Sequence, residues 1–304
     1  MQVKILGSAA GGAFPQWNCA CPNCHAVRGG QFRGKPRSQT QVAVSVDGAS
    51  WTLLGASPDL RMQIEATPEL HPRLGIRSSP IQNVVLISAD IDHVLGLLLM
   101  RELQPFRVHA AECVIQILRT ENSMFAMLHR LPDQVKWKRM QPGEPFLLSG
   151  SDAEGGMACE AVAVSSHLPA YAYNVRSSED ATLGLILTTP AGASLGFFPQ
   201  LAELTPALKA TFASLDVLLL DGTFWSDDEL IQLQGSTQCA RDMGHVPVGG
   251  EDGTLQQLAG LTKPRKMYIH INNTNPMLNE AGAEYRAVRD AGWELAEDGC
   301  HFTL

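Results

Sequence analysis

The sequence predicts an α/β fold in which helices cover β-sheets. Short apolar runs rich in β-branched residues recur along the chain, and between them lie stretches with apolar residues at three- and four-residue spacing. Both alternating and continuous strand patterns occur, which is typical of sheets covered by helices on their outer faces. No repeat and no long Pro/Gly/Ser-rich linker interrupts the chain, so a single domain over residues 1–304 is the simplest arrangement.

The individual elements follow from their patterns. Residues 41–46 alternate with period two and predict a half-buried strand. Continuous apolar runs predict buried strands, at residues 83–88, 216–221 and 266–270. Helices are expected where apolar residues return every three or four positions, at residues 94–103, 111–119, 205–215, 227–233 and 281–291.

Composition argues against several classes of protein. Hydrophobic residues make up 45% of the 304 residues and charged residues 18%, as in a globular protein with a large core. The net charge of −8, from 31 acidic and 23 basic residues, argues against a nucleic-acid platform, which would carry a basic stripe. The longest apolar stretch, residues 94–100, is far shorter than the ~20 residues that span a bilayer, and the N-terminal run is too short for a signal peptide. We therefore expect a cytoplasmic protein without nucleic-acid or membrane partners.

Polar side chains stand where four predicted strands end. Ser88, Asp221 and His270 each close an apolar strand, and His167 closes the strand-like run 161–166. Ligands on loops at the edge of a rigid sheet are a usual way for proteins to hold a metal. The four strand ends therefore predict a site on one rim of the sheets.

The stretch Asp90-Ile91-Asp92-His93 lies at a predicted strand-to-helix turn. Two carboxylates and an imidazole at this spacing can converge on one cation, and the positive end of the helix dipole would keep His93 neutral and able to ligate. The alternative is ordinary helix capping, because Asp is a favoured N-cap residue. The other strand-end residues favour metal binding.

A family resemblance emerges from the order of these motifs. Ser88-Ala89-Asp90-Ile91-Asp92-His93, then His167, Asp221 and His270, resemble the five motifs of the metallo-β-lactamase superfamily. The segments AAGGAFPQWNC (9–19), MGHVP (243–247) and HINNTNP (270–276) are similar to the coenzyme PQQ synthesis protein B family, and the resemblance runs from Val3 to the C-terminus. It implies an αββα four-layer sandwich of two β-sheets flanked by helices.

The chain departs from the hydrolase motif HxHxDH, because Ser88 and Asp90 stand at the two histidine positions. In binuclear relatives that histidine pair and the third-motif histidine hold one metal. Asp90 with His167 alone would hold a transition metal weakly, since a serine hydroxyl is a poor ligand. The resemblance therefore implies that one metal site is lost.

The same resemblance implies that the second metal site is complete. Its ligands would be Asp92, His93 and His270, with Asp221 available as a further ligand or in a supporting position. Two histidines and one carboxylate resemble the set that non-haem Fe(II) oxygenases use, with positions left open for O₂ and substrate. This ligand set favours one metal, Fe²⁺, and redox chemistry over two metals and hydrolysis, which needs cations about 3.5–4 Å apart.

The resemblance also implies a pathway. Family members act in making pyrroloquinoline quinone (PQQ), and iron-dependent hydroxylation of the tyrosine ring of a Glu-Tyr-derived precursor is assigned to them. The expected partner is that small precursor, with PQQ itself and a second copy of the chain as further candidates. Two alternatives stay open: a carrier of PQQ or its precursor, and a binuclear metal-dependent hydrolase.

Three further residues are expected to act beside the metal. Asp90 and His167 would contact substrate or shuttle protons. His245, in the segment 243–247, resembles a non-ligand histidine that related phosphodiesterases set over the substrate, and its titration range suits a proton donor or acceptor. Tyr171 and Tyr173 follow His167 closely, and for them packing is the simpler interpretation.

Three of the seven cysteines, Cys19, Cys21 and Cys24, lie within six residues. Without a secretion signal this cluster predicts a structural Zn²⁺ site, with zinc about 2.3 Å from each sulfur, in an N-terminal loop of about residues 14–30. The fourth ligand is open: related phosphodiesterases use a histidine where this chain has Asn273, and His25 and His301 are substitutes. Reduced surface cysteines are the alternative.

Overall fold

The computed structural model describes residues 1–148 and 156–304. Contacts between Cα atoms divide the chain into two compact units. The first unit comprises residues 1–7, 40–194 and 299–304, and the second comprises residues 8–39 and 195–298. The expectation of a single domain over residues 1–304 stays a prediction.

Fourteen strands are found in the described residues. In chain order they are β1 (Gln2–Gly7), β2 (Gln41–Ser45), β3 (Trp51–Leu54), β4 (Ile81–Val85), β5 (Phe106–Ala111), β6 (Val135–Met140), β7 (Phe146–Leu148), β8 (Met157–Ser165), β9 (Thr182–Thr188), β10 (Ser194–Phe198), β11 (Val217–Asp221), β12 (Arg265–Ile269), β13 (Trp293–Leu295) and β14 (His301–Thr303).

The first unit contains a mixed sheet with the strand order β14-β1-β2-β3-β4-β5-β6. Its strands pair antiparallel from β14 to β3 and parallel from β3 to β6. The strands β7, β8 and β9 of the same unit pair antiparallel with one another. In the second unit the strands from β10 to β13 run parallel, and β11 is buried along its whole length.

Strand β2 corrects one prediction. Its sequence alternates and predicts a half-buried strand, but all five of its residues are buried. The strand lies between β1 and β3, and its polar Gln41 is satisfied inside the unit. The Gln41 amide donates to the carbonyl of Gly55 at 2.8 Å, and its carbonyl accepts from the backbone of Ser57 at 2.7 Å. The alternation of polar and apolar residues in β2 therefore does not indicate an exposed face, because the polar Gln41 has its partners inside the protein.

The α-helices are short. They are α1 (Pro22–Arg28), α2 (Leu60–Glu65), α3 (Ile91–Val94), α4 (Glu112–Gln116), α5 (Pro206–Ser214), α6 (Glu229–Gln234), α7 (Thr254–Gln257) and α8 (Ala283–Asp290). The prediction of a helix over residues 205–215 is confirmed by α5, which begins where the Thr205 hydroxyl accepts the backbone N–H of Leu208 at 3.2 Å. No helix in the described part of the chain is both long and apolar enough to cross a membrane.

The helix predicted over residues 94–103 is a 3₁₀ helix, shorter than predicted. After α3 the chain forms 3₁₀ turns over Leu95–Met100. Gly96 explains the tighter winding, since its N–H donates to the Ala56 carbonyl at 2.8 Å and its Cα lies directly against that backbone. A long-range contact here overrides the local helical periodicity.

Gly96 should therefore be the glycine of this region that least tolerates a methyl group. A Cβ at this position would lie 2.3 Å from the Ser57 carbonyl oxygen and 2.8 Å from that of Ala56, and both are backbone atoms. We expect Gly96→Ala to lower the free energy of unfolding by about 1–3 kcal/mol, measured by urea denaturation. Gly260→Ala is the matched control, because nothing lies within 4 Å of its added Cβ. Equal stability of the two variants would contradict the prediction.

Candidate metal centre

Asp221 and His270 stand at the carboxyl ends of two neighbouring parallel strands of the second unit. Asp221 is the last residue of β11, and His270 follows β12 directly. The register pairs Asp221 with Ile269, so the two side chains emerge at the same sheet edge. Asp221 is fully buried and His270 is 6% exposed. The sequence pattern of polar residues at strand ends thus describes this part of the structure correctly.

Both carboxylate oxygens of Asp221 are occupied by hydrogen bonds. Oδ1 accepts the backbone N–H of Thr223 at 3.0 Å and its hydroxyl at 2.6 Å. Oδ2 accepts the backbone N–H of Leu201 at 2.9 Å and Nδ1 of His245 at 2.8 Å. A buried carboxylate needs such partners, because an unpaired charge away from water is strongly unfavourable.

These contacts determine the tautomers of two histidines. A carboxylate can only accept, so Nδ1 of His245 carries the proton that it shares with Asp221. The single Thr223 hydroxyl proton goes to Asp221 Oδ1, and the hydroxyl oxygen, 2.8 Å from Nδ1 of His270, then accepts the proton of that nitrogen. Both imidazoles therefore present an Nε2 lone pair.

The three groups form one compact cluster. Ligand atoms of Asp221, His245 and His270 lie within 4.8 Å of one another, and all three residues are buried. The rings of His245 and His270 stack with centroids 5.5 Å apart and an angle of 17°. Imidazole nitrogens and carboxylate oxygens are suitable ligands for a divalent transition metal.

The backbone at His270 is held in an unusual conformation. Its φ is 59°, in the left-handed region that a residue with a Cβ rarely adopts. Its carbonyl oxygen lies 2.9 Å from the Thr223 hydroxyl oxygen, and the amide of Asn272 donates to the Thr223 carbonyl at 3.1 Å. Strained residues of this kind persist where surrounding contacts over-determine them, and they cluster at functional sites.

The segment that departs from the hydrolase motif, residues 88–93, is here called the altered motif. It lies in the first unit, in the turn between β4 and α3 and in α3 itself. The Ser88 hydroxyl donates to Oδ2 of Asp90 at 2.9 Å, so the residues at the two histidine positions bond to each other. Asp90 is the N-cap residue of α3, yet its side chain makes no capping hydrogen bond. Simple helix capping therefore does not explain this carboxylate. Asp92 and buried His93 lie within α3, with Nε2 of His93 3.9 Å from Oδ2 of Asp92.

His167 lies exposed in the loop that follows β8. Its N–H donates to the Ser165 hydroxyl at 3.0 Å, and its carbonyl accepts from Thr182 at 3.4 Å. Tyr171 in the same loop donates its hydroxyl to the carbonyl of Ala89, inside the altered motif. Tyr171 therefore makes a directed contact as well as packing, whereas Tyr173 is 66% exposed.

The cysteine cluster is formed in the second unit. The sulfurs of Cys19, Cys21 and Cys24 lie within 4.8 Å of one another, and tetrahedral zinc requires sulfurs about 3.8 Å apart. Burial opposes ionisation of Cys19, but hydrogen bonds from the backbone and side chain of Cys21 outweigh it and lower the pKa of Cys19. Burial and the neighbouring thiols raise the pKa of Cys21 to about 11. A cation bound among the three sulfurs would favour the thiolate form, and this donor set fits Zn²⁺.

The side chain of Asn273 lies at the fourth side of the sulfur cluster. Its Nδ2 is 3.2, 3.5 and 3.3 Å from the sulfurs of Cys19, Cys21 and Cys24. Rotation of the amide would present Oδ1, which is a ligand atom. His25 is exposed on α1, and His301 lies on β14 of the first unit. Among the three candidates, the geometry of the second unit favours Asn273.

Glu229 is a buried group that the sequence analysis missed. It accepts the Trp225 N–H at 2.7 Å and the hydroxyl of Thr274. Burial raises the pKa of Glu229 to about 7. The carboxyl thus ties the start of α6 to the segment 270–275, which carries His270 and Asn273. No sequence pattern marks Glu229, because its partner is distant along the chain.

The chain is similar to proteins of known family. Residues 50–271, more than half of the chain, match the Beta-lactamase superfamily domain. Coenzyme PQQ synthesis protein B of Methylobacterium sp. (strain 4-46) is 41% identical over 308 aligned positions that cover 100% of both chains. The chain belongs to the coenzyme PQQ synthesis protein B family. It has the metallo-β-lactamase fold, with two mixed β-sheets flanked by helices, as the sequence predicts.

Solved structures agree with this assignment to the PQQ synthesis protein B family. The crystal structure of Zn²⁺-bound PqqB from Methylobacterium extorquens is 39% identical, with a TM-score of 0.91 and 100% of both chains covered. A diphosphatase from the PhnP family has a TM-score of 0.65 at 19% identity, covering 100% of this chain and 97% of its own. At that identity the second likeness is one of fold alone.

Loss of one thiolate should empty the cysteine cluster of zinc. Cys24→Ser removes the fully buried sulfur, and we expect about one Zn²⁺ per chain fewer and a lower midpoint of thermal unfolding, because metal binding stabilises the folded loop. Zinc is counted by mass spectrometry and unfolding is followed by calorimetry. Cys239→Ser is the control, since that free cysteine lies outside the cluster. Full zinc retention in Cys24→Ser would refute the site.

Proposed function

We propose that the chain acts in PQQ biosynthesis as a metal-dependent oxygenase that hydroxylates the tyrosine ring of a Glu-Tyr-derived precursor. Membership of the PQQ synthesis protein B family supports the pathway. The hydrogen bonding of Asp221 supports a site with one metal, and it is the observation on which the proposal chiefly rests.

Asp221 stands at the position that bridges two metals in the binuclear hydrolases that the sequence resembles. In this chain its two oxygens already accept four hydrogen bonds, from Thr223, Leu201 and His245. An oxygen engaged in this way is better suited to orient imidazoles than to bridge cations. This favours a mononuclear site over two-metal hydrolysis.

The sequence resemblance assigns the metal ligands to Asp92, His93 and His270. The contact between Thr223 and Nδ1 of His270 supports the role of His270, because a proton on Nδ1 places the ligating lone pair on Nε2. Fe²⁺ bound by two imidazoles and a carboxylate would supply activation of O₂. In the overall reaction one oxygen atom enters the ring and the other leaves as water, so an external reductant such as ascorbate must supply two electrons and two protons are taken up.

His245 is the proton acceptor in this proposal. Its Nδ1 proton is held by Asp221, so Nε2 can accept the phenolic proton of the substrate ring and make the ring more electron-rich. General bases of this kind contribute about 10²- to 10⁴-fold to rate. Asp90, oriented by Ser88, and exposed His167 are assigned to substrate contact.

The oxygenase assignment is tested by anaerobic reconstitution with Fe²⁺, followed by O₂, ascorbate and a Glu-Tyr peptide substrate. We expect O₂ uptake coupled to a hydroxylated ring, and we expect His93→Ala and His270→Ala to abolish both because each removes a ligand. His71→Ala is the control, since Nε2 of its ring lies 3.1 and 3.2 Å from the backbone carbonyls of Ile64 and Glu65 in α2, outside the proposed centre.

Each alternative gives a different result in this experiment. A carrier binds PQQ stoichiometrically and consumes no O₂ with any metal. A hydrolase needs two metals per active site, counted after the cysteine-bound zinc is subtracted. Either result, or turnover that survives in both histidine variants, would remove the oxygenase assignment.

Thr223 should control the metal affinity of His270. Thr223→Val removes the hydroxyl at nearly constant volume, so His270 loses the partner that fixes its tautomer. We expect metal affinity to fall about 10- to 100-fold, measured by anaerobic titration with Co²⁺ in the absence of substrate. Thr223→Ser keeps the hydroxyl and should retain near-normal affinity. Equal affinity in the Val and Ser variants would show that the hydroxyl does not matter.

A further inference from the structure

The loop of residues 166–175, here called the site loop, contains no helix or strand. It follows β8 in the first unit and carries His167 and Tyr171. Its beginning is held at the strand ends, where the His167 amide donates to Ser165 at 3.0 Å and the Thr182 hydroxyl donates to the His167 carbonyl at 3.4 Å. Loops without regular structure depend on such side-chain contacts for a single conformation.

Tyr171 joins the site loop to the altered motif. Its hydroxyl donates to the carbonyl of Ala89, which lies between Ser88 and Asp90. Burial, and then the charges of Asp90 and Asp92, raise the pKa of Tyr171 well above its ordinary value. The raised pKa favours the protonated phenol, which is the form that donates to the Ala89 carbonyl.

Glu121 holds the end of the site loop through its backbone. Its Oε2 accepts the N–H of Tyr173 at 2.6 Å, and its Oε1 accepts the N–H groups of Asn174 and Val175 at 3.2 and 3.1 Å. Three consecutive N–H groups that converge on an anion form the concavity that proteins use to bind anions. Here the anion is the chain's own carboxylate, and these bonds, led by that of Tyr173, lower the pKa of Glu121.

The Glu121 carboxylate extends from a segment of regular structure. It is the last residue of a π-helical turn, Ile117–Glu121, whose first carbonyl accepts the Asn122 side chain at 2.7 Å. Ile117 and Leu118 of that turn are buried. π-Helical turns are rare and are frequent at functional sites. The buried turn therefore fixes a carboxylate that in turn orders the residues directly after Tyr171.

We propose that Glu121 is a positioning residue that holds the site loop, and with it Tyr171, against the altered motif and so sets the affinity for the substrate. The role deepens the proposed function, because Asp90 and His167 are assigned there to substrate contact. Glu121 lies at the protein surface, so its bonds order the loop locally and add little to global stability.

Hydrogen exchange of the metal-free protein without substrate tests the first half of the proposal. Glu121→Ala should accelerate exchange of the amides of residues 173–175 about tenfold, and Glu121→Gln, which keeps an acceptor oxygen, should give a smaller change. The core strands should exchange as in the unchanged chain. Glu112→Gln is the control, since its exposed carboxylate pairs only with Arg139 at 3.8 Å among the described contacts. Unchanged exchange at 173–175, or equal acceleration throughout the core, would overturn the proposal.

Binding of the dipeptide Glu-Tyr tests the second half. Glu121→Ala and Tyr171→Phe should each weaken its affinity roughly three- to tenfold in calorimetry, with kcat little changed where turnover is measured. The double variant should be no weaker than the worse single one, because both changes release the same loop. Fully additive losses, or loss of loop protection with unchanged affinity, would overturn the role. Absence of hydroxylation would refute the proposed function and leave both of these measurements intact.

Discussion

The buried carboxylate of Asp221 is the constraint on which the candidate centre depends. Transferring a carboxylate out of water is costly, and this one is compensated by four hydrogen bonds from three residues. Those bonds also decide which nitrogen of His245 and of His270 carries a proton. One carboxylate at the end of a buried strand therefore orients the His245 ring directly and the His270 ring through Thr223.

The segment after β12 connects that centre to the cysteine cluster within the second unit. His270 begins it, and three residues later the Asn273 amide reaches the sulfurs. Asn23 of the cysteine loop donates to the carbonyls of Asn273 and Asn275 at 3.1 and 3.0 Å, and buried Glu229 holds the segment from its other side. A structural metal in the cysteine cluster would therefore stiffen the backbone that holds His270 in its left-handed conformation.

The strand ends could be predicted from sequence because continuous apolar runs identify buried parallel strands, and the carboxyl ends of such strands share one edge. Asp221 and His270 were placed at one sheet edge in this way, whereas the cysteine cluster was predicted from its own spacing. Thr223 and Glu121 could not be predicted, because each acts through a hydrogen bond to a distant residue. The partner of Thr223 is 47 positions away, and the partners of Glu121 are at least 52 positions away. The type of helix over residues 95–100 could not be predicted for a related reason. Gly96 packs on the backbone of Ala56, and local periodicity carries no information about that contact.

The altered motif keeps a defined structure although two other residues replace both histidine ligands. Ser88 and Asp90 are poor replacements for two imidazoles, but they bond to each other at 2.9 Å, so the carboxylate is oriented without a metal. Tyr171 approaches the carbonyl between them, and Glu121 holds the loop from which Tyr171 extends. Ser88, Asp90 and Tyr171, whose side chains can donate or accept protons, are therefore held in place by hydrogen bonds among protein groups.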